Sequence, residues 1–167
     1  MRRHLTVVPL PYTVAHKTCI GDLGISLGTQ FVSTNDVVST KNALITLYAL
    51  QNAAGALPYS GPPENSLSIS DTYHAWTLIG TYTYVLYSGD FEWLQSVWSN
   101  YTRGVQYLTS LVDDTGLVNV QSSLDWGRTG MSGHNSEANA LYYKVCVLVQ
   151  PLPTSSVHDA ASMAGFD

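Results

Sequence analysis

The feature that most limits how this chain can fold is a helix-ending phrase used twice. Asn52-Ala53-Ala54-Gly55-Ala56-Leu57-Pro58-Tyr59 is echoed by Asp113-Asp114-Thr115-Gly116-Leu117-Val118-Asn119-Val120, which sets Gly55 and Gly116 61 residues apart. A long amphipathic segment precedes each copy, and a polar loop with a further helical pattern follows it. Glycine just past the last apolar turn is expected to supply a left-handed helix cap, with the next apolar residues extended. Repeated helix–loop–helix units of this length predict an all-α toroid or helical array, because no single unit buries its apolar face alone.

Apolar periodicity predicts five helices, over about 22–33, 37–53, 72–88, 91–112 and 135–149. The second carries Val37, Leu44, Leu47, Tyr48 and Leu50 on one face, and the third carries Tyr73, Trp76, Gly80, Tyr84 and Tyr87. The fourth shows Leu94, Val97, Tyr101, Val105, Leu108 and Val112 at three-and-four spacing. The fifth places Ala138, Leu141, Tyr142 and Val145 together. Connections alternate between short ones, at 34–36 and 88–90, and long ones, at 54–70 and 113–134. In a toroid of helical hairpins the tight turns close one rim and the long loops gather on the other, where a ligand can be held. A plain helical bundle with two long loops is the competing architecture.

Composition narrows the function classes. Only 11% of the residues are charged, the net charge is −5 and the seven Lys and Arg are scattered, which argues against phosphate neutralisation and hence against nucleic acid. No apolar run approaches the roughly 20 residues that span a bilayer, so no membrane partner is expected. Eleven Tyr and four Trp suit carbohydrate recognition, since sugars stack apolar faces on aromatic rings, although Tyr also fills helix cores. Cys19 and Cys146 make no metal pattern. Asn100-Tyr101-Thr102 is an N-glycosylation sequon, meaningful in a secreted chain. Residues 1–14 are signal-like, but Pro9 and Pro11 interrupt the apolar stretch and no small-x-small cleavage site follows, which leaves the compartment open between extracellular and other.

Several phrases, in order and spacing, resemble the six-hairpin catalytic domain of fungal α-L-rhamnosidase-type glycosidases over residues 20–145. They are Gly21-Asp22-Leu23-Gly24-Ile25-Ser26, Phe31-Val32-Ser33-Thr34-Asn35-Asp36 and Leu47-Tyr48-Ala49-Leu50-Gln51-Asn52 with Gly55 to Tyr59. Asp71-Thr72-Tyr73-His74-Ala75-Trp76, Tyr87-Ser88-Gly89-Asp90 and Leu124-Asp125-Trp126 complete the set. The resemblance implies a partial (α/α)6 toroid, with about five helices of the family's twelve. Segments 1–19 and 146–167 do not match. By the same resemblance, the family hydrolyses terminal α-L-rhamnosyl linkages with inversion, using one carboxylic acid and one carboxylate base. Similar proteins carry acidic residues twelve and seven positions before the aspartate matched by Asp22, the nearer being the general acid; here Leu10 and Ala15 stand there, and Cys19 replaces the usual Trp. The family's base comes later than any residue matched in this chain.

The resemblance makes Asp22 an active-site carboxylate beside the sugar hydroxyls; the simpler reading is a helix N-terminal carboxylate. Asp125 and Trp126 offer an acceptor next to an aromatic platform, or else a turn aspartate and a core tryptophan. Arg128 can reach a sugar hydroxyl or pair with Asp125. Asp71, His74 and Trp76 crowd the first turn of helix three on the loop rim, where Asp71 also reads as a cap and His74 as a structural or exposed histidine. His134 and Glu137 open helix five, where Glu137 suits the helix dipole. The histidines lack paired ligand spacing, so no metal is expected, and without a phosphate loop or nucleophile elbow no cofactor is expected either.

These observations point to a glycoside hydrolase of the α-L-rhamnosidase type in an incomplete form, acting on or binding a carbohydrate. The alternative is a non-catalytic truncated remnant or a carbohydrate-binding helical module. Further expectations are that both long loops lie on one side with Asp22, Asp71 and Asp125 converging, and that helices three and five expose an open edge for self-association.

Overall fold

The computed structural model of the chain describes residues 20–62, 68–125 and 128–149, and side chains from Leu23 to Leu148 within them. The expectations placed on Leu10, Ala15, Cys19 and Trp126, and on the side chain of Asp22, lie outside the described residues. Within them the fold is all-α: α1 (Ile20–Thr34), α2 (Val38–Ala49), α3 (Asp71–Ser88), α4 (Phe91–Ser110) and α5 (Ser136–Val149). Among the described residues the extended segments form only isolated bridges and no strand.

Local chemistry sets the ends of the helices. Between α1 and α2, Asn35 takes a left-handed backbone (φ 52°), and the Asp36 carboxylate accepts the N–H groups of Val38 and Ser39. Ser70 caps α3 by accepting from the Tyr73 N–H, Asp90 caps α4 through the Trp93 N–H, and Asn135 caps α5 through the Ala138 N–H. Gly89, with φ 66°, ends α3 and turns the chain directly into α4.

α3 is the hub, packing against α1, α2, α4 and α5. The sequence pattern gives it one apolar face, yet twelve of its eighteen residues are buried, including Thr77, Leu78, Ile79 and Thr81 between the expected positions. Burial all round is open to it because its polar residues are satisfied locally. The hydroxyls of Thr77 and Thr81 donate to the carbonyls of Tyr73 and Thr77, and Tyr48 Oη lies 2.8 Å from Thr81 Oγ1. Trp76 and Tyr87, assigned to the same face by the pattern, are instead partly exposed.

α1 lies parallel to α3. Gly24 faces Trp76, Leu27 faces Gly80, and the rings of Phe31 and Tyr87 stack at 4.9 Å. A Cβ at Gly24 would collide with the Trp76 ring, so that glycine sets how closely the two helices approach. The main core joins Leu27, Leu44, Leu78, Tyr84, Tyr101, Leu108 and Leu141, and thus draws on all five helices.

The repeated phrase is a repeated structure. α2 and α4 both leave the helix through a tightened turn: Leu50 and Gln51 donate to the carbonyls of Leu47 and Tyr48, as Leu111 and Val112 donate to those of Leu108 and Thr109. In the first copy the Asn52 N–H reaches Ala56 O at 3.0 Å and the Gly55 N–H reaches Asn52 O at 3.0 Å. In the second, Asp113 and Gly116 make the same two bonds, to Leu117 O at 3.1 Å and Asp113 O at 2.9 Å. Both glycines are left-handed, at φ 94° and 77°. They differ from the expected role in position: each sits six residues beyond the last helical residue and closes a turn, where a helix cap was expected. For the same reason α2 ends at Ala49, earlier than its apolar pattern suggests.

The uncovered apolar side chains match the expected open edge on α5 but not along most of α3. α3 shows only Leu86 and Tyr87 at its C-terminal end, whereas its two flanking helices expose Ile25 and Val32 on α1 and Tyr143 and Val147 on α5. The middle helix is covered from both sides, and the open faces fall on its neighbours. No helix among the described residues is long and apolar enough to cross a membrane.

Candidate functional site

The two long loops meet at the N-terminal end of α3. Ser70 pairs with Ser123, the Asp71 N–H donates to Ser122 O at 3.0 Å, and Pro58 pairs with Ile69 within the first loop. The loops therefore share one side of the molecule, as the alternation of connection lengths suggests, and Asp71 and Asp125 belong to that rim.

Asp71 is not the cap of α3, since Ser70 fills that role. Its carboxylate is fully buried and faces the second loop, where Oδ2 accepts from the N–H groups of Gln121 and Ser122 at 2.8 and 2.9 Å. Oδ1 accepts from Tyr107 Oη at 2.8 Å. Burial and the neighbouring Asp71 charge raise the pKa of the Tyr107 phenol well above its ordinary value, so Tyr107 remains a donor. These charge-assisted bonds latch loop to helix and use the acceptor positions a sugar hydroxyl would need.

His74, expected on the ligand-facing rim, is instead completely buried. Its Nδ1 accepts the Leu57 N–H at 3.0 Å, which places the proton on Nε2, and Nε2 donates to Gly104 O at 2.9 Å. Burial holds its pKa down to about 4, against hydrogen bonding to Gly104 and the nearby Asp71 charge that raise it. The ring is a neutral bridge between the first loop and α4, with neither nitrogen free for substrate.

Trp76 is partly exposed, but its ring is flanked on one side by Gly24 of α1 and lies 5.9 Å from the Lys144 ammonium of α5. It also packs against the core, so the ring touches α1 and lies near α5. Asp125 is nearly buried by its ion pair with Arg128, at 2.7 Å from Nη2. The same guanidinium forks onto Glu137 at the start of α5, with Nη2 to Oε1 at 3.0 Å and Nη1 to Oε2. Donating hydrogen bonds to Glu137 first, and then to Asp125, raises the Arg128 pKa further and keeps it charged. Arg128 nevertheless stays half exposed, so among the described residues of the rim this two-carboxylate clamp is open to solvent.

Residues unread in the sequence complete the picture. Asn139, fourth in α5, accepts the Val118 N–H at 2.9 Å, just as His74, fourth in α3, accepts that of Leu57. Each accepted N–H lies two residues past its turn glycine, so the 61-residue offset links Leu57 to Val118 and was the available signal. Tyr107 has no comparable sequence mark. Outside the clamp, His134 Nε2 lies 2.6 Å from Asp113 Oδ2, and Thr115 chiefly, with His134 after it, lowers the Asp113 pKa to about 2. No group of three or more His, Cys, Asp or Glu suited to a metal ion occurs among the described residues.

No protein-family model matches the chain, and no curated protein matches it.

Proposed function

We propose that the chain is a repeat-built portion of an (α/α) toroid of the α-L-rhamnosidase type, and that it contacts carbohydrate at its long-loop rim without cleaving it. One observation carries this reading. The units α2–loop–α3 and α4–loop–α5 share the same exit turn and the same stitch from the fourth residue of the second helix, with both loops at the N-terminal end of α3. Repetition of this kind supports a closed-array architecture, and the parallel course of α1 beside α3 suits inner helices of a ring. The sugar itself rests on the resemblance in residues 20–145.

The carboxylates explain why cleavage is not part of the proposal. Hydrolysis needs one group to donate a proton and another to activate water. Asp71 and Asp125 are committed to backbone amides, Tyr107 and Arg128, and the general-acid position holds Ala15. The Asp125–Arg128–Glu137 clamp instead suits a sugar diol, which accepts from guanidinium N–H groups and donates to carboxylate oxygens. A purified chain incubated with an aryl α-L-rhamnoside is expected to release no aryl alcohol. Titration with L-rhamnose is expected to saturate, and Arg128→Ala to weaken it at least tenfold. Turnover that Asp22→Asn abolishes would restore the enzyme reading, and absence of saturable binding would remove the carbohydrate reading. Self-association through the exposed α1 and α5 faces belongs to the same proposal, and sedimentation at rising concentration reads it directly.

A further inference from the structure

A second surface lies between α2 and α4, beside the first exit turn. There a cleft of about 390 Å³ is lined by Ile45, Tyr48 and Ala49 from α2 and by Trp93, Val97 and Asn100 from α4. Its walls are mainly apolar, and Ile45 is 43% exposed. Asn100 is the first residue of the sequence's single N-glycosylation sequon, Asn100-Tyr101-Thr102. Its backbone carbonyl accepts from Gln51 Nε2 at 2.9 Å, which fixes this stretch of α4, while its side chain is partly exposed on the cleft. Tyr101 is buried in the core, and the Thr102 hydroxyl bonds back to the carbonyls of Trp98 and Ser99. Of the three sequon residues, the asparagine is thus the one presented to the cleft.

We propose that Asn100 is an N-glycosylation site and that the first sugar of its glycan covers the cleft between α2 and α4. The chemistry is that of the secretory pathway, acting on the chain before it folds. The Asn100 amide nitrogen displaces the lipid pyrophosphate from the anomeric carbon of a lipid-pyrophosphate oligosaccharide. A nitrogen–carbon bond forms, the carbon–oxygen bond to pyrophosphate breaks, and the amide gives up one proton. N-acetylglucosamine then lies at a rim whose apolar wall suits a sugar's apolar face. A bulky, solubilising group so placed also shields Ile45 and Val97 from water.

The test uses the full chain behind a secretion signal in a eukaryotic cell. The wild type and Thr102→Ser are expected to carry a glycan that peptide N-glycosidase removes, seen as a mass decrease on intact protein. Asn100→Gln and Thr102→Ala are expected to lack it. An unmodified wild type, or a glycan that persists in Asn100→Gln, would overturn the site. For the covering role, the glycosylated wild type is expected to melt about 2–4 °C above Thr102→Ala, and Ile45→Ser to narrow that gap. Equal melting of the two glycoforms would confine the proposal to attachment and overturn the cover.

Discussion

The two copies of the exit turn have the same backbone and opposite surroundings. Gly55 is buried against α4, where a Cβ would stand 2.5 Å from the Arg103 carbonyl oxygen, whereas Gly116 is exposed with nothing within 4 Å of its Cβ position. Gln51 ties the first turn to α4 by donating to Gly55 O and Asn100 O and accepting from Arg103. Val112 occupies the equivalent place in the second copy and offers no such bonds. The stitches differ likewise. His74 is buried and joins a third element through Gly104, while Asn139 is partly buried and returns to Val118 O. A repeated local motif therefore fixes conformation, and its neighbours decide how much stability each copy contributes.

The largest expected contrast is at the stitches. His74→Ala leaves the Leu57 N–H and the Gly104 carbonyl without their partner in a dry site and opens a cavity, at a cost of about 4 kcal/mol. Asn139→Ala, closer to solvent, is expected to cost about 1–2 kcal/mol. Denaturant melts of the two variants compare them directly, and equal losses would break the distinction between buried and open copies.

The glycines follow. Alanine at Gly55 meets both left-handed strain and a backbone clash, together about 3 kcal/mol, while Gly116→Ala meets the strain alone, about 1 kcal/mol. The same melts read this difference, which vanishes if α4 can draw back from the turn.

Acid separates the copies as well. In the unfolded chain His74 protonates as pH falls below its ordinary value of 6.5, while in the folded chain it stays neutral down to about 4. The unfolded state thus binds more protons in that window. Stability is complete above pH 6.5 and falls by about 3 kcal/mol on the way to pH 4. Stability curves measured between those values should flatten in His74→Gln; an unchanged slope would show that other groups carry the dependence.

The smallest effect belongs to the exposed copy. Asp113, held to about 2 against an ordinary 3.8, stabilises the fold above pH 4, and that contribution is lost as pH falls through about 2. Asp113→Asn should remove a shallow acid limb without changing stability near neutrality more than other surface substitutions do. A large neutral-pH loss would mean that this turn matters as much as its buried counterpart.

The sequence by itself determined the all-α class, the five helices and the repeated turn, because these rest on short-range chemistry. Apolar spacing marks helices, Ser70, Asp90 and Asn135 start them, and glycine at 55 and 116 permits the left-handed residue each turn needs. Tertiary structure decided the depth at which each residue lies and the partner it meets. Thr77 and Thr81 look polar in sequence, yet both are buried in α3 because their hydroxyls bond within the helix. Asp71, His74 and Arg128 look like ligand-facing residues, but the first two bind groups 17 to 51 positions away and the third is shared between two carboxylates. A hydrogen bond depends on where the chain returns in space, and no local pattern of side chains carries that information.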